Sequence, residues 1–247
     1  MKRLLCITAH PDDEAGGFGG TLLLYHDRGV DTHVVCLTPG QAARNRGGIV
    51  SGEELAKVRR QEFARSCQML KVSHGEVLDY PDAGLDKLEL YAVVEVLARR
   101  IRQIRPQVVL TFGSEGGVTA HPDHSMASLF GTAAFHWAGR NNRFVDQIEK
   151  EKLEPHRGQK LYYATADYII PDRQPVSLPP TTATIDISEY FEKKIEAFKQ
   201  HTTQSPLFPL FEGRMRQGSR TEKFHLVAAA TPREIERETD LFAGVVE

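Results

Sequence analysis

The chain has 247 residues, with 31 Lys and Arg against 33 Asp and Glu, a formal net charge of -2 and a pI near 6.6. This balance gives no electrostatic case for a nucleic acid or an anionic membrane as partner. No apolar run reaches the roughly 18 residues of a spanning helix. A chain of this length buries roughly 70–75% of its unfolded surface, so a single domain over 1–247 needs no staples. Cys6, Cys36 and Cys67 lie in apolar segments without CxxC spacing and read as buried thiols of a cytoplasmic protein.

Residues 3–9 form a continuous apolar run, the pattern of a strand buried on both faces. A helix over 15–29 and a strand over 32–37 follow, making a βαβ unit and therefore a parallel sheet. Residues 53–70 read as a helix with Phe63, Cys67 and Leu70 on one face, and 76–79 as a short strand. Helix 87–104 repeats Leu90, Val93, Val94, Leu97, Ile101 and Ile104; Arg105-Pro106 stops it before a strand over 107–112.

After a loop, Pro122 suits a first helical position and Asp123 the positive terminus of a helix running to about Trp137. Residues 139–160 are highly charged and read as a surface insertion, with strands near 161–169 and 182–187. Ser188 caps a helix bearing Phe191, Ile195 and Phe198; 201–221, rich in Pro and Gly, reads mostly as loop, and 223–230 as a last strand. The expected fold is an α/β, Rossmann-like, mostly parallel sheet with helices on both faces.

Two polar clusters follow strand ends: His10-Pro11-Asp12-Asp13-Glu14 and His121-Pro122-Asp123-His124. His10 and Asp13, three apart, can face one side, and His121 and His124 repeat that spacing. Strand carboxyl ends form the ligand crevice of a parallel sheet, so the clusters can converge there as His, Asp and His ligands, with a spare carboxylate and a spare imidazole. Three protein ligands and an open position is the design of a catalytic zinc site. Zinc lowers the pKa of bound water towards about 7 and polarises carbonyls. Asp12 suits the general base and His121 the group that stabilises the oxyanion or protonates the leaving amine, so the reaction class is amide hydrolysis. Glu14 reads as a helix-start acid. Gly16-Gly17-Phe18-Gly19-Gly20 does not give the dinucleotide spacing G-x-G-x-x-G and reads as close helix–sheet packing.

AHPDDE at 9–14 with HPDH at 121–124 resembles the LmbE-like/PIG-L superfamily of zinc-dependent N-acetylglucosaminide deacetylases. Supporting matches are Thr38-Pro39-Gly40, Arg59-x-x-Glu62, Pro81-Asp82-Ala83-Gly84-Leu85 and Lys194-x-x-Ala197-x-x-x-His201-x-x-Gln204. The resemblance implies that His10, Asp13 and His124 bind Zn2+ (with other divalent metals such as Fe2+ as alternatives), that Asp12 is the general base, and that His121 activates the carbonyl or protonates the amine. It implies substrate-binding positions at Arg59 and Asp82, and a position near the site at His201. The implied substrate is a small N-acetylated amino-sugar conjugate, with oligomerisation left open. The sequence departs from the family where Val118-Thr119-Ala120 replaces a tyrosine sometimes found before the second histidine motif, and where Lys71 replaces a glycine after Leu70. Substrate choice is expected to reside in 139–160 and 205–221.

The near alternative is an amidase of a thiol-sugar conjugate. A non-haem iron oxygenase shares the two-histidine, one-carboxylate donor set, but a second carboxylate beside the metal suits water activation better. A non-catalytic metal-stabilised sugar-binding protein is the third reading.

Overall fold

The computed structural model describes residues 1–170, 174–232, 234 and 236–246. Among them, seven strands form one mixed sheet. They are β1 (Arg3–Thr8), β2 (Asp31–Cys36), β3 (His74–Val77), β4 (Val108–Phe112), β5 (Lys160–Thr165), β6 (Ala183–Asp186) and β7 (Thr221–Ala229), in the order β3-β2-β1-β4-β5-β7-β6. The first five run parallel, and β7 adds antiparallel to β5 and β6. β1 and β4 are apolar and buried almost throughout, as strands covered on both faces must be.

The helices are α1 (Asp13–Asp27), α2 (Gly52–Met69), α3 (Leu90–Ile104), α4 (Pro122–Ala138), α5 (Val145–Glu149), α6 (Phe191–Phe198) and α7 (Phe208–Gln217). Helical crossovers carry the chain outward from β1 through β2 to β3, then back past β1 to β4. That reversal sets α1 and α2 on one face and α3 and α4 on the other. It also makes the β1/β4 boundary the switch point, where the loops leaving two neighbouring strands diverge and leave a crevice.

Four expectations are corrected. Helix α3 starts at Leu90 rather than 87, because 85–87 form a 3-10 turn and Glu89 caps the helix by accepting the Ala92 N–H at 2.7 Å. The region 201–221 is not mostly loop: 202–207 form a 3-10 helix, with Pro206 inside it, that runs into α7, where Pro209 stands in the first turn and its missing N–H costs least. Residues 139–160 are a connector tied to the core rather than a free insertion. They hold α5, and the buried Arg102 of α3 donates to the carbonyls of Ala138, Arg140, Arg143 and Phe144 and to Gln147 Oε1, at 2.9–3.1 Å.

The glycine run of α1 packs differently from expectation as well. A Cβ at Gly20 would lie 2.6 Å from the Ile187 side chain, so close approach there serves the segment leading to α6, not the sheet. No helix among the described residues is long and apolar enough to cross a membrane.

Candidate active site

The chain leaves β1 at Thr8, and within two residues His10 begins a turn closed by Asp13 N–H donating to the His10 carbonyl at 3.3 Å. Asp13 folds back, its Oδ2 accepting the N–H groups of Ala9 and His10 at 3.1 and 2.8 Å. Its other oxygen, Oδ1, lies 3.1 Å from His124 Nε2, while Oδ2 lies 3.6 Å from His10 Nδ1. The two motifs, more than a hundred residues apart in sequence, therefore meet across the β1/β4 boundary.

Each imidazole is oriented from behind. His10 Nε2 lies 3.2 Å from both Asp82 Oδ1 and Asp123 Oδ2, which turns Nδ1 towards Asp13. His124 stacks on Phe112 at 4.0 Å, and its Nδ1 lies 3.3 Å from the Gly116 carbonyl and 3.4 Å from Thr119 Oγ1, which leaves Nε2 for Asp13. His121 caps α4: its Nδ1 accepts the Asp123 N–H at 3.2 Å, so the ring proton of the neutral form sits on Nε2. The rings of His10 and His121 meet edge to face at 4.7 Å.

This cluster fits a divalent cation. Nitrogens of His10, His121 and His124 lie within 4.8 Å of one another, and Asp13 bridges two of those rings. Burial works against a charged His10, yet hydrogen bonds to Asp123, Asp13 and Asp82 hold it well above the ordinary imidazole range. Burial likewise opposes the Asp13 charge, yet His124 and His10 hold its carboxyl well below the usual range. Three carboxylates around one buried imidazole form a negative cluster, and nitrogen and carboxylate donors with imidazoles fixed by hydrogen bonds on the far ring atom suit zinc or a similar metal.

Asp12 lies beside this group. Burial pushes its carboxyl up to about 6, against the opposing pull of Arg59 and with some help from Asp13. Burial, with His10 and His124 nearby, brings His121 down to about 4.

Arg59, Asp82 and His201 all lie at or directly behind this cluster. Arg59 is 2% exposed. Its guanidinium donates to Asp12 Oδ2 at 3.0 Å, to the Gly40 carbonyl at 3.1 Å and to the Pro11 carbonyl. Gly40 has φ +68, and a Cβ there would strike the guanidinium, which accounts for the Thr38-Pro39-Gly40 match. Asp82 divides its oxygens between His10 and the Ala42 N–H. His201 is fully buried, its Nε2 2.6 Å from Glu14 Oε1. Arg59 and His201 therefore lie behind the site, and Asp82 against His10.

Two participants escaped the reading of the sequence. Asp123 was assigned only to the helix terminus, yet it also reaches His10 and accepts the N–H groups of Ala83 and Leu85 at 2.7 and 3.3 Å. Glu14, read as a helix-start acid, is 0% exposed and joins His201, Ser66 and the Asp12 backbone. Their signal was present only as carboxylates next to motif histidines.

Fold and site define a class: an α/β enzyme with a candidate His/Asp metal centre at the carboxyl ends of a parallel sheet. The chain belongs to the PIG-L family; residues 5–135 match the family model described as GlcNAc-PI de-N-acetylase. It is 34% identical over 209 residues to a diacetylchitobiose deacetylase of Thermococcus kodakarensis, covering 83% of this chain and 71% of the relative. A 1D-myo-inositol 2-acetamido-2-deoxy-alpha-D-glucopyranoside deacetylase of Saccharomonospora viridis is 31% identical over 275 residues, covering 98% of this chain and all (100%) of the relative. Among solved structures, the N,N'-diacetylchitobiose deacetylase of Pyrococcus horikoshii superposes with a TM-score of 0.75 at 26% identity, covering 92% of this chain and 84% of that one.

Proposed function

We propose that this PIG-L family member removes the acetyl group from a small N-acetylglucosamine-type conjugate, releasing acetate and a free amine. One observation carries the reading: Asp12 and His121 flank a His10, Asp13 and His124 donor set at the switch point of the sheet. The named activities of the relatives, on diacetylchitobiose and on an inositol-linked acetamido sugar, share an acetylated amino sugar, and this supports the substrate class.

His10 Nδ1, Asp13 and His124 Nε2 would hold the metal, for which zinc suits the donors best. Bound there, it would supply a Lewis acid that polarises the amide carbonyl and makes water more acidic. Asp12 takes the proton from the attacking water. With a carboxyl pushed up to about 6, it is ionised at neutral pH, yet basic enough to accept. Arg59 fixes the carboxylate through Oδ2. The protonated Asp12 then returns the proton to the departing amine, which balances the hydrolysis.

The role of His121 follows from its tautomer. Nδ1 accepts the Asp123 N–H, so Nε2–H is the free donor, and burial keeps the ring neutral. A neutral donor of this kind stabilises the oxyanion as the carbonyl becomes tetrahedral.

The test is free-amine release from N-acetylglucosamine and a panel of its glycosides, by metal-loaded protein and by Asp12→Asn. Activity requiring both metal and Asp12 is expected. Silence across the panel with metal bound at full stoichiometry would discard the substrate class, and oxygen uptake coupled to turnover would discard hydrolysis.

A further inference from the structure

Asp12 stands at the N-cap of α1, where an aspartate ordinarily turns its carboxylate onto the next N–H groups. It does not do so here: φ is +116, in the left-handed region, and no side-chain cap is made. A residue other than glycine keeps such a conformation only where its surroundings over-determine it. In this case the determinant is Glu14. Glu14 Oε2 accepts the Asp12 N–H at 2.9 Å, a contact made back onto the cap residue itself. The carboxylate of Asp12 is thereby released to Arg59 and to the open side of the site.

Glu14 in turn is held by two donors on Oε1: Ser66 Oγ and His201 Nε2, each at 2.6 Å. His201 is placed by the turn that follows α6. Glu62 accepts from Thr202 Oγ1, Thr203 N–H and Thr203 Oγ1, all at 2.7 Å, and Gln204 Nε2 donates to the Asn45 carbonyl at 3.0 Å. Arg59, Glu62 and Ser66, spaced three and four apart on α2, form a buried polar stripe whose members all lead to the Asp12–Glu14 turn. Within the motif Lys194 to Gln204, His201 is therefore the residue that reaches the Asp12–Glu14 turn, while Lys194 pairs with Glu222.

We propose that Glu14 and His201 form a positioning pair that holds Asp12 in its left-handed backbone and so aims the base; the inference rests on the reading of Asp12 as base. Without a donor at position 201, Glu14 swings from the Asp12 N–H, Asp12 relaxes to a negative φ, and its carboxylate turns inward as an ordinary helix cap.

His201→Leu removes the donor and His201→Gln restores one. In metal-loaded protein, the leucine variant is expected to lose about 10–100-fold in kcat with KM and metal stoichiometry unchanged, since a misplacement of about 1 Å is worth this much. The glutamine variant recovers most of it, and His201→Leu added to Asp12→Asn changes the residual rate less than about twofold. Crystal structures of the metal-free variants give a readout independent of turnover: Asp12 at negative φ with its side chain capping α1 in His201→Leu, and near +116 in His201→Gln and the parent. Asp12 unmoved in the leucine variant, or an equal loss in the Asp12→Asn background, overturns the proposal. If the parent protein hydrolyses no amide, the functional reading fails while the crystallographic result still decides the positioning role. Should His201→Leu not fold, Ser66→Ala and Glu14→Gln carry the same structural comparison.

Discussion

Two arginines, each 2% exposed, serve two regions of the molecule in opposite ways. Arg59 of α2 sits under the site and spends its guanidinium on Asp12 and on the carbonyls of Pro11 and Gly40. Arg102 of α3 makes no ion pair with a carboxylate among the described residues; its acceptors are the Ala138 carbonyl at the end of α4 and, in the connector that follows, the carbonyls of Arg140, Arg143 and Phe144 and the Gln147 amide oxygen. The first orients a group that must stay charged and accessible. The second ties the irregular backbone of the connector to a helix by donating to its carbonyls. Burial of an arginine therefore does not indicate function; the identity of its partner does.

The comparison predicts that damage to the two regions separates into activity and stability. Asp12→Asn is the most severe test, with turnover expected to fall about 10²–10⁴-fold at unchanged folding and metal content. His121→Ala should lose about 10²–10³-fold in kcat while keeping metal. By contrast His124→Ala should lose the metal itself, read by elemental analysis. A His121→Ala protein with full metal and an unimpaired rate would remove that residue from the mechanism.

Arg59→Ala should lose about 10²-fold in kcat through a misplaced Asp12. Arg102→Ala should instead destabilise the fold by about 3 kcal/mol in denaturant titration, because water replaces only part of its charge-assisted hydrogen bonds. Its activity per folded molecule should be unchanged. If both variants lost activity alike, the connector would be communicating with the site, and the contrast between the two arginines would fail.

The smallest effect is expected at Lys71, which adopts φ +56 just past the end of α2. Lys71→Gly should stabilise the protein by about 0.5–1 kcal/mol, since glycine enters the left-handed region without a Cβ penalty. The lost pair with Asp27 is half-open to solvent and offsets little of this.

Legibility followed the range of the interactions. The strands and long helices were readable because burial on both faces imposes continuous apolar runs, and α3 a helical repeat. The segment after α6 reads as loop because Pro206 and Pro209 look like breakers, although a short 3-10 segment carries the first and the opening turn of α7 the second. The connector was misread because its charge is real while its anchor, Arg102, lies in another helix. The meeting of the His10/Asp13 and His121/His124 pairs was readable because each pair has helical spacing after a strand end. Arg59 and His201 were attached to the site by motif, but their side of it was not visible.

The sequence by itself determined the parallel βαβ core, the two polar clusters at strand ends and the chemistry those residue types can support, because periodicity and short spacing are local properties. The tertiary structure alone decided which ring nitrogen faces Asp13, that Asp82 and Asp123 stand together behind His10, and that Arg59, Ser66, Glu14 and His201 converge beneath Asp12. Those assignments depend on contacts between segments up to 187 residues apart, and hydrogen-bond direction across such separations is set by packing, not by order along the chain.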